Sequence, residues 1–300
     1  MIGRKGFAFV METRIGLALG GGGARGFAHL GALIALEEAR IPLHMIAGTS
    51  MGAALGACRA LGVDLHKVER LICMLDWNEM LQVTDNTIRE VQKIIGRSVV
   101  EYMRGSTWKE EEAAPPEIAR LNELFRLLTA NRDFSDTVLP FAVVAADVET
   151  GERVVLDAGK IWRAVTASTA VPGVFAPVAH GDRFLIDGGV VDKLPADVVI
   201  EMGATAVIAV DTGAPLTRKV ETCLEAILQA QRATSKHLTG LQLDYARARL
   251  GGRLVSLHPD VGHIRMFGFE HAEEAIREGK RAVRARLDDI KALCEGRADD

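Results

Sequence analysis

The first 65 residues constrain the fold more than any other stretch of the chain. Ile15-Gly-Leu-Ala-Leu19 is a short apolar run, the seven-residue glycine-rich turn Gly20–Gly26 follows, and a helical pattern runs from Phe27 to Ala39. Pro42 punctuates the chain before a second apolar run, Leu43–Ala47, which leads into Gly48 and an Ala/Leu-rich helical stretch from about Met51 to Leu61. Strand, helix, strand, helix with such short connections is a parallel βαβ unit, and its right-handed crossover lays the two strands side by side in the same direction. Both strand-to-helix turns then emerge at the carboxyl edge of one sheet, where ligands of α/β folds bind.

The rest of the chain extends this pattern. From Asp76 to Asp133 it is mostly helical and mixed in polarity, broken at Gly105-Ser106-Thr107 and Pro115-Pro116. Strand character returns at Leu139–Ala146 and Arg153–Leu156, a hairpin around Glu149-Thr-Gly-Glu152, then a helix near Ile161–Thr169 and strands at Phe184–Ile186 and Ala206–Val210. Two amphipathic helices, Thr222–Leu250 and Glu270–Leu293, close it. The expected fold is α/β: a three-layer sandwich with a central, mainly parallel sheet and helices on both faces. Residues 1–14 read as an N-terminal extension, 15–213 as the core with 76–133 as a helical insertion or cover, and 214–300 as C-terminal helices on the same domain. Trp77, Tyr102 and Trp108 in that insertion suit either a mobile cover that meets an interface between water and an apolar phase or a helical layer packed firmly on the sheet.

Composition narrows the function. With 48% apolar and 25% charged residues the 300-residue chain is globular, and a net charge of −4 argues against a general nucleic-acid binder. Cys58, Cys73, Cys223 and Cys294 form no C-x-x-C pair and read as buried, reduced thiols, with neither a disulfide framework nor a metal site expected. The apolar run at the N-terminus is too short for a signal peptide, Met11 is a second candidate start, and no stretch reaches the length of a membrane span. A cytoplasmic protein, at most peripheral at a membrane, is expected; the sequence sets no oligomeric state.

Three motifs carry chemistry. Gly20-Gly-Gly-Gly-Ala-Arg-Gly26 matches G-x-G-x-x-G at Gly21, Gly23 and Gly26, but no Asp or Glu lies between Ala39 and Val63 to hold a ribose, and Phe27 stands where a P-loop has Lys. Such a loop instead offers bare backbone N–H groups, reinforced by a helix N-terminus, to a developing negative charge, or else is a turn that lets helix and sheet pack closely. Arg25 is unfavourable at that helix end and is expected to pin the loop or face an anion. Gly48-Thr-Ser-Met-Gly52 places Ser50 on a strand-to-helix turn, the geometry of a nucleophile elbow, although a serine there also serves as an N-cap. Leu185-Ile-Asp-Gly-Gly189 puts Asp187 at a strand end, as a base for the serine or as an ordinary Asp-Gly turn.

Together with Ala146-Asp-Val-Glu-Thr-Gly-Glu152 and Ala167-Ser-Thr-Ala-Val-Pro-Gly-Val-Phe-Ala-Pro177, these motifs resemble the patatin-like phospholipase family of serine lipid acyl hydrolases, and within it bacterial proteins related to the catalytic domain of neuropathy target esterase. The resemblance covers about Ile15 to Asp211. It implies a Ser–Asp dyad with Ser50 as nucleophile and Asp187, followed by Gly188 and Gly189, as base. It implies an oxyanion hole from Gly21, Gly22 and Gly23 supported by Arg25 and Gly26, an elbow shaped by Gly48 and Gly52, and a lipid or fatty-acyl ester substrate with transient membrane-surface contact. No cofactor is implied. A lipid-sensing or regulatory protein with little turnover is the alternative on the same fold. Where family members often carry Asn before Leu-Pro, this chain has Asp192-Lys193, an extra carboxylate expected to bear on Asp187. Chain order leaves a triad through His258 or His263 open, while His29 and His180 read as structural or solvated.

Overall fold

The computed structural model describes residues 13–75, 77, 116–172, 174–216, 220 and 223–296. Strand β1 (Ile15–Leu19) leads through a 3-10 turn (Gly23–Gly26) into α1 (Phe27–Glu38), β2 (Met45–Thr49) and α2 (Met51–Ala60). Then follow α3 (Leu65–Met74), α4 (Pro116–Leu128), β3 (Phe141–Asp147), β4 (Arg153–Leu156), α5 (Ile161–Thr169), β5 (Val178–His180) and β6 (Arg183–Asp187). The chain continues with α6 (Ala196–Glu201), β7 (Ala206–Val210), α7 (Cys223–Leu250), β8 (Leu254–Leu257), α8 (Ala272–Ala285) and α9 (Leu287–Cys294).

The strands form one sheet in the order β5-β6-β3-β2-β1-β7-β8, with β4 paired to β3 off this path. Pairing is parallel from β3 through β2, β1 and β7 to β8 and antiparallel for β4, β5 and β6. Alternate strand residues feed two cores: Leu17, Leu19, Ile46, Val143 and Ile208 pack under α1, α2, α5 and α8, whereas Ala18, Met45, Ala47, Val144 and Val207 pack under α6 and α7. That alternation makes the three layers expected of an α/β sandwich with a mainly parallel sheet.

Helix α1 is buried on almost every side. It crosses α8 at a glycine contact, where a Cβ on Gly31 would overlap the Ile276 carbonyl and one on Gly279 the Ala28 carbonyl, so any side chain there would force the two backbones apart. The expected helix Glu270–Leu293 is two helices that break at Arg286 (φ −119°, ψ 20°). Ala275, Ile276 and Val283 face α1, whereas Ile290 and Leu293 are buried beside β7 and β8, so one straight helix cannot serve both surfaces. Strands β5 and β8 and helices α3 and α6 were not expected; the two strands are three and four residues long, too short for alternation to register. Of the thiols expected to be buried, Cys58 is, Cys294 is partly so, and Cys73 is exposed on the outer face of α3.

Of the expected cover, Tyr102, Gly105, Trp108 and Pro115 lie outside the described residues. Trp77 lies in the core: it is 7% exposed, stacks on Phe269 at 5.4 Å, tilts against Phe27 at 5.1 Å and donates to the Ile72 carbonyl at 2.9 Å. A variant keeping Trp77 alone (Trp108→Phe, Trp162→Phe) is expected to emit in the blue and resist iodide quenching without lipid. Red, readily quenched emission would remove Trp77 from the core.

Candidate active site

Ser50 follows β2 directly and holds φ 56°, ψ −126°, a conformation a side chain rarely adopts and one that costs on the order of 1–3 kcal/mol. The turn is over-determined. Ser50 N–H donates to Ser168 Oγ at 2.7 Å, and Ser168 Oγ donates to the Val144 carbonyl at 2.5 Å, splinting the turn to β3. The Ser50 carbonyl accepts from the N–H groups of Ala53 and Ala54, starting α2. Gly48 and Gly52 permit the close approach: a Cβ on Gly48 would lie 2.6 Å from Ala53 Cα, and one on Gly52 would overlap the Leu19 carbonyl. Ser168 is fully buried; it lies in the Ala167–Pro177 stretch that carries the family resemblance, but nothing in the sequence assigns it this splinting contact.

Asp187 reaches Ser50 through strand pairing. One edge of β3 pairs first with β2, ending at Thr49 opposite Val144, and then with β6, where Asp187 stands opposite Ala145. The serine turn and the aspartate thus occupy adjacent registers on the same edge. Ser50 Oγ donates to Asp187 Oδ2 at 2.6 Å, and Gly189 N–H donates to Asp187 Oδ1 at 2.7 Å. Gly188 lies so close to β3 that a Cβ would overlap the Val144 carbonyl. Burial pushes the Asp187 carboxyl up to about 6, against the pull of its hydrogen bonds from Ser50 and Gly189 and the charge of Lys193. It remains ionised at neutral pH and able to accept a proton.

The glycine loop is committed bond by bond. Gly20 N–H donates to the Val210 carbonyl and Gly21 N–H to the Lys193 carbonyl at 2.9 Å, so Gly21 has no free donor. Ala24 N–H donates to the Met266 carbonyl at 2.8 Å. Among the described residues no acceptor meets the N–H groups of Gly22 and Gly23, which precede and open the 3-10 turn. A Cβ on Gly21 would sit 3.4 Å from Ser50 Cβ, an ordinary contact, so the packing there does not by itself demand glycine. Arg25 pins the loop, donating to the carbonyls of Thr212 at 3.1 Å and Ile264 at 3.0 Å; burial and Arg232 push it down to about 10, still protonated at neutral pH. At Gly26 a Cβ would come within 2.5 Å of Met51 Cβ, so the 3-10 turn packs directly on α2.

The histidines lie elsewhere. His29 is fully buried, binds the Gly20 carbonyl at 2.6 Å and is pushed down to about 4 by burial. His258 faces Asp211 at 3.8 Å, His263 pairs with Glu274 at 2.9 Å, and His180 is exposed. Asp192 spends its buried carboxylate on Arg153 at 2.9 Å and Gln242 at 2.8 Å, and burial together with Asp197 pushes it up. The neighbouring charge that acts on Asp187 is Lys193, which also faces Asp211 at 3.9 Å.

Ser50 and Gly23 line an apolar pocket that runs between α1, α2, α4 and α5, walled by residues such as Phe27, Leu55, Leu124 and Phe269. Among the described residues, the side-chain hydroxyls on its lining are those of Ser50 and Thr169. A serine oxygen hydrogen-bonded to a carboxylate, next to open N–H donors and an apolar pocket, can attack a carbonyl whose apolar chain lies in that pocket.

Comparison with known proteins agrees with these motifs. Residues 17–200 match the family profile described as Patatin-like phospholipase. The chain is 33% identical over 201 residues to mouse patatin-like phospholipase domain-containing protein 6, covering 66% of this chain and 13% of that one. It is 27% identical over 296 residues to an uncharacterised NTE family protein of Mycobacterium tuberculosis, covering 91% and 46%, and 31% identical over 199 residues to lysophospholipase NTE1 of Mycosarcoma maydis, covering 66% and 10%. The chain therefore spans from a tenth to under half the length of these relatives. Among solved structures it is similar to the type III effector ExoU (TM-score 0.47, 17% identity, 93% of this chain and 54% of that one) and to VipD of Legionella pneumophila (0.44, 14%, 93% and 67%). Extending over more than half of its length, the family match carries the Ser50 turn and the Asp187 strand together: this chain belongs to the patatin-like phospholipase family.

Proposed function

We propose that the protein hydrolyses carboxylic esters of lipids with Ser50 as nucleophile and Asp187 as general base. The observation that carries this reading is the 2.6 Å hydrogen bond from Ser50 Oγ to Asp187 Oδ2 beside the apolar cavity. Ser50 Oγ attacks the acyl carbonyl carbon as its proton passes to Asp187 Oδ2. The carbonyl π pair moves onto oxygen, and the resulting oxyanion is held by Gly22 and Gly23 N–H. Collapse breaks the bond to the alcohol oxygen, which leaves with the proton from Asp187. Water then attacks the acyl-enzyme with Asp187 again as base, releasing the fatty acid and restoring Ser50. The apolar lining takes the acyl chain at about 0.8 kcal/mol per buried methylene, so the alcohol portion points out of the cavity.

Intact-mass spectrometry after a fluorophosphonate probe, followed by an acyl-chain series of esters, tests the reading. One adduct, on Ser50, and kcat/KM that rises with chain length are expected; no adduct on Ser50 would sink it. The pH profile is a second check. Because the base must be ionised, kcat/KM is expected to fall with unit slope below about pH 6 and to level off above it, following the Asp187 carboxyl. A limb that stays flat down to pH 4.5 would remove Asp187 from the role of base.

A further inference from the structure

Two backbone N–H groups serve as an oxyanion hole only if their peptide planes are turned the right way, and glycine, the residue least able to hold a plane by itself, supplies both. The planes must therefore be set from outside. A trans peptide points its C=O and N–H in opposite directions, so whatever grips the carbonyl aims the amide.

The grips can be read one peptide at a time. The Gly20 carbonyl is held by His29 Nε2 at 2.6 Å, and the Gly21 N–H of the same plane turns to the Lys193 carbonyl. The Gly21 carbonyl accepts from Thr212 Oγ1 at 3.4 Å, which leaves the Gly22 N–H of that plane pointing the other way. Sheet order says which way that is. β1 lies between β7 and β2, Thr212 follows β7, and Ser50 follows β2. A carbonyl turned toward Thr212 therefore leaves its amide on the Ser50 side. The next carbonyl, that of Gly22, is taken up by the 3-10 turn it precedes, so Gly23 N–H is likewise turned away from the turn.

Thr212 is itself fixed. It is fully buried, its carbonyl accepts from Arg25 Nε, and its hydroxyl lies 3.4 Å from His29 Nε2. His29 has Nδ1 buried without a partner, so its single ring proton sits on Nε2, shared toward Gly20. The Thr212 hydroxyl proton is then free for the Gly21 carbonyl. No side chain could replace hydrogen at Gly22, since a Cβ there would overlap Thr212 Oγ1.

From this we infer that Thr212, backed by His29, is a positioning residue that orients the Gly21–Gly22 peptide so that its amide meets the oxyanion; the inference rests on the proposed hydrolysis at Ser50. A positioning role and a merely structural one part company in active-site titration. Thr212→Val keeps the shape and removes the hydroxyl, Thr212→Ser keeps the hydroxyl, and Thr212→Ala replaces the Val variant should that fail to fold. Each would be titrated with a fluorophosphonate and assayed with a soluble medium-chain ester.

For Thr212→Val or Thr212→Ala we expect full stoichiometric labelling of Ser50, a kcat and a labelling rate each lowered about 10- to 100-fold, and KM within about twofold. Thr212→Ser is expected to recover most of kcat. A kcat within threefold of wild type in the Val variant, or a loss matched by an equal fall in titratable sites, would overturn the inference. Ser50→Ala run alongside separates the two levels: wild-type protein unlabelled, or Ser50→Ala still labelled and active, removes the hydrolase reading and this inference with it. Wild-type labelling at Ser50 with an unaffected Thr212→Val removes the inference alone.

Discussion

Ser50→Ala is expected to lower ester turnover by at least about 10⁴-fold and to abolish fluorophosphonate labelling, since in serine hydrolases the nucleophile acts as a unit with its base. The fold should survive. The substitution acts on a residue that is 5% exposed and breaks the hydrogen bond of its hydroxyl to the Asp187 carboxylate, at about 1.5–3 kcal/mol. The backbone offers an internal control. Ser50 sits at φ 56°, where glycine is unstrained and alanine is not, so Ser50→Gly is expected to melt higher than Ser50→Ala, by a margin of about 1 kcal/mol, although both are inactive. Equal melting temperatures would show that the turn stores no strain, and residual labelling at another serine would move the nucleophile.

Asp187→Asn is expected to lower kcat about 10³- to 10⁴-fold, because the serine loses the acceptor for its proton in both half-reactions. It should also stabilise the fold at alkaline pH. Burial raises the folded-state carboxyl from 3.8 to about 6, so the native state binds a proton more tightly than the unfolded chain. Stability from this group is thus fully present below about pH 4 and is lost as pH rises through 6. The neutral amide escapes that loss. At about 1.4 kcal/mol per unit the gain is bounded by about 3 kcal/mol, reduced by the weaker hydrogen bonds that a side-chain amide offers Gly189 and Ser50. Thermal melts of both proteins at pH 8 and pH 4.5 check the sign: the variant should melt higher at pH 8, and the difference should shrink at pH 4.5. A variant less stable than wild type at pH 8 would mean that the carboxylate is held more favourably than its burial implies.

What the sequence by itself determined is local. The βαβ start, the glycine loop and the serine turn are each set by residues within a few positions of one another, and their turn chemistry and periodicity are readable without knowing what packs against them. The Asp-Gly-Gly turn is equally local, and so is Arg25, whose position at a helix N-terminus already required a partner. Tertiary structure decided how these pieces meet. Asp187 lies 137 positions from Ser50, and the contact exists because β6 continues the edge of β3 that β2 vacates, a pairing no spacing encodes. It decided which glycines keep an N–H with no acceptor among the described residues, since the Lys193 carbonyl consumes that of Gly21 and leaves those of Gly22 and Gly23. It also brought Ser168 to the Ser50 turn and Thr212 to the glycine loop. Both are single hydroxyls in ordinary contexts, and their partners lie 118 and 191 residues away. Hydrogen-bond accounting in a buried site is global: most donors and acceptors find a mate among groups brought close by the sheet order, the few left over are set by it too, and that order is a property of the packed chain.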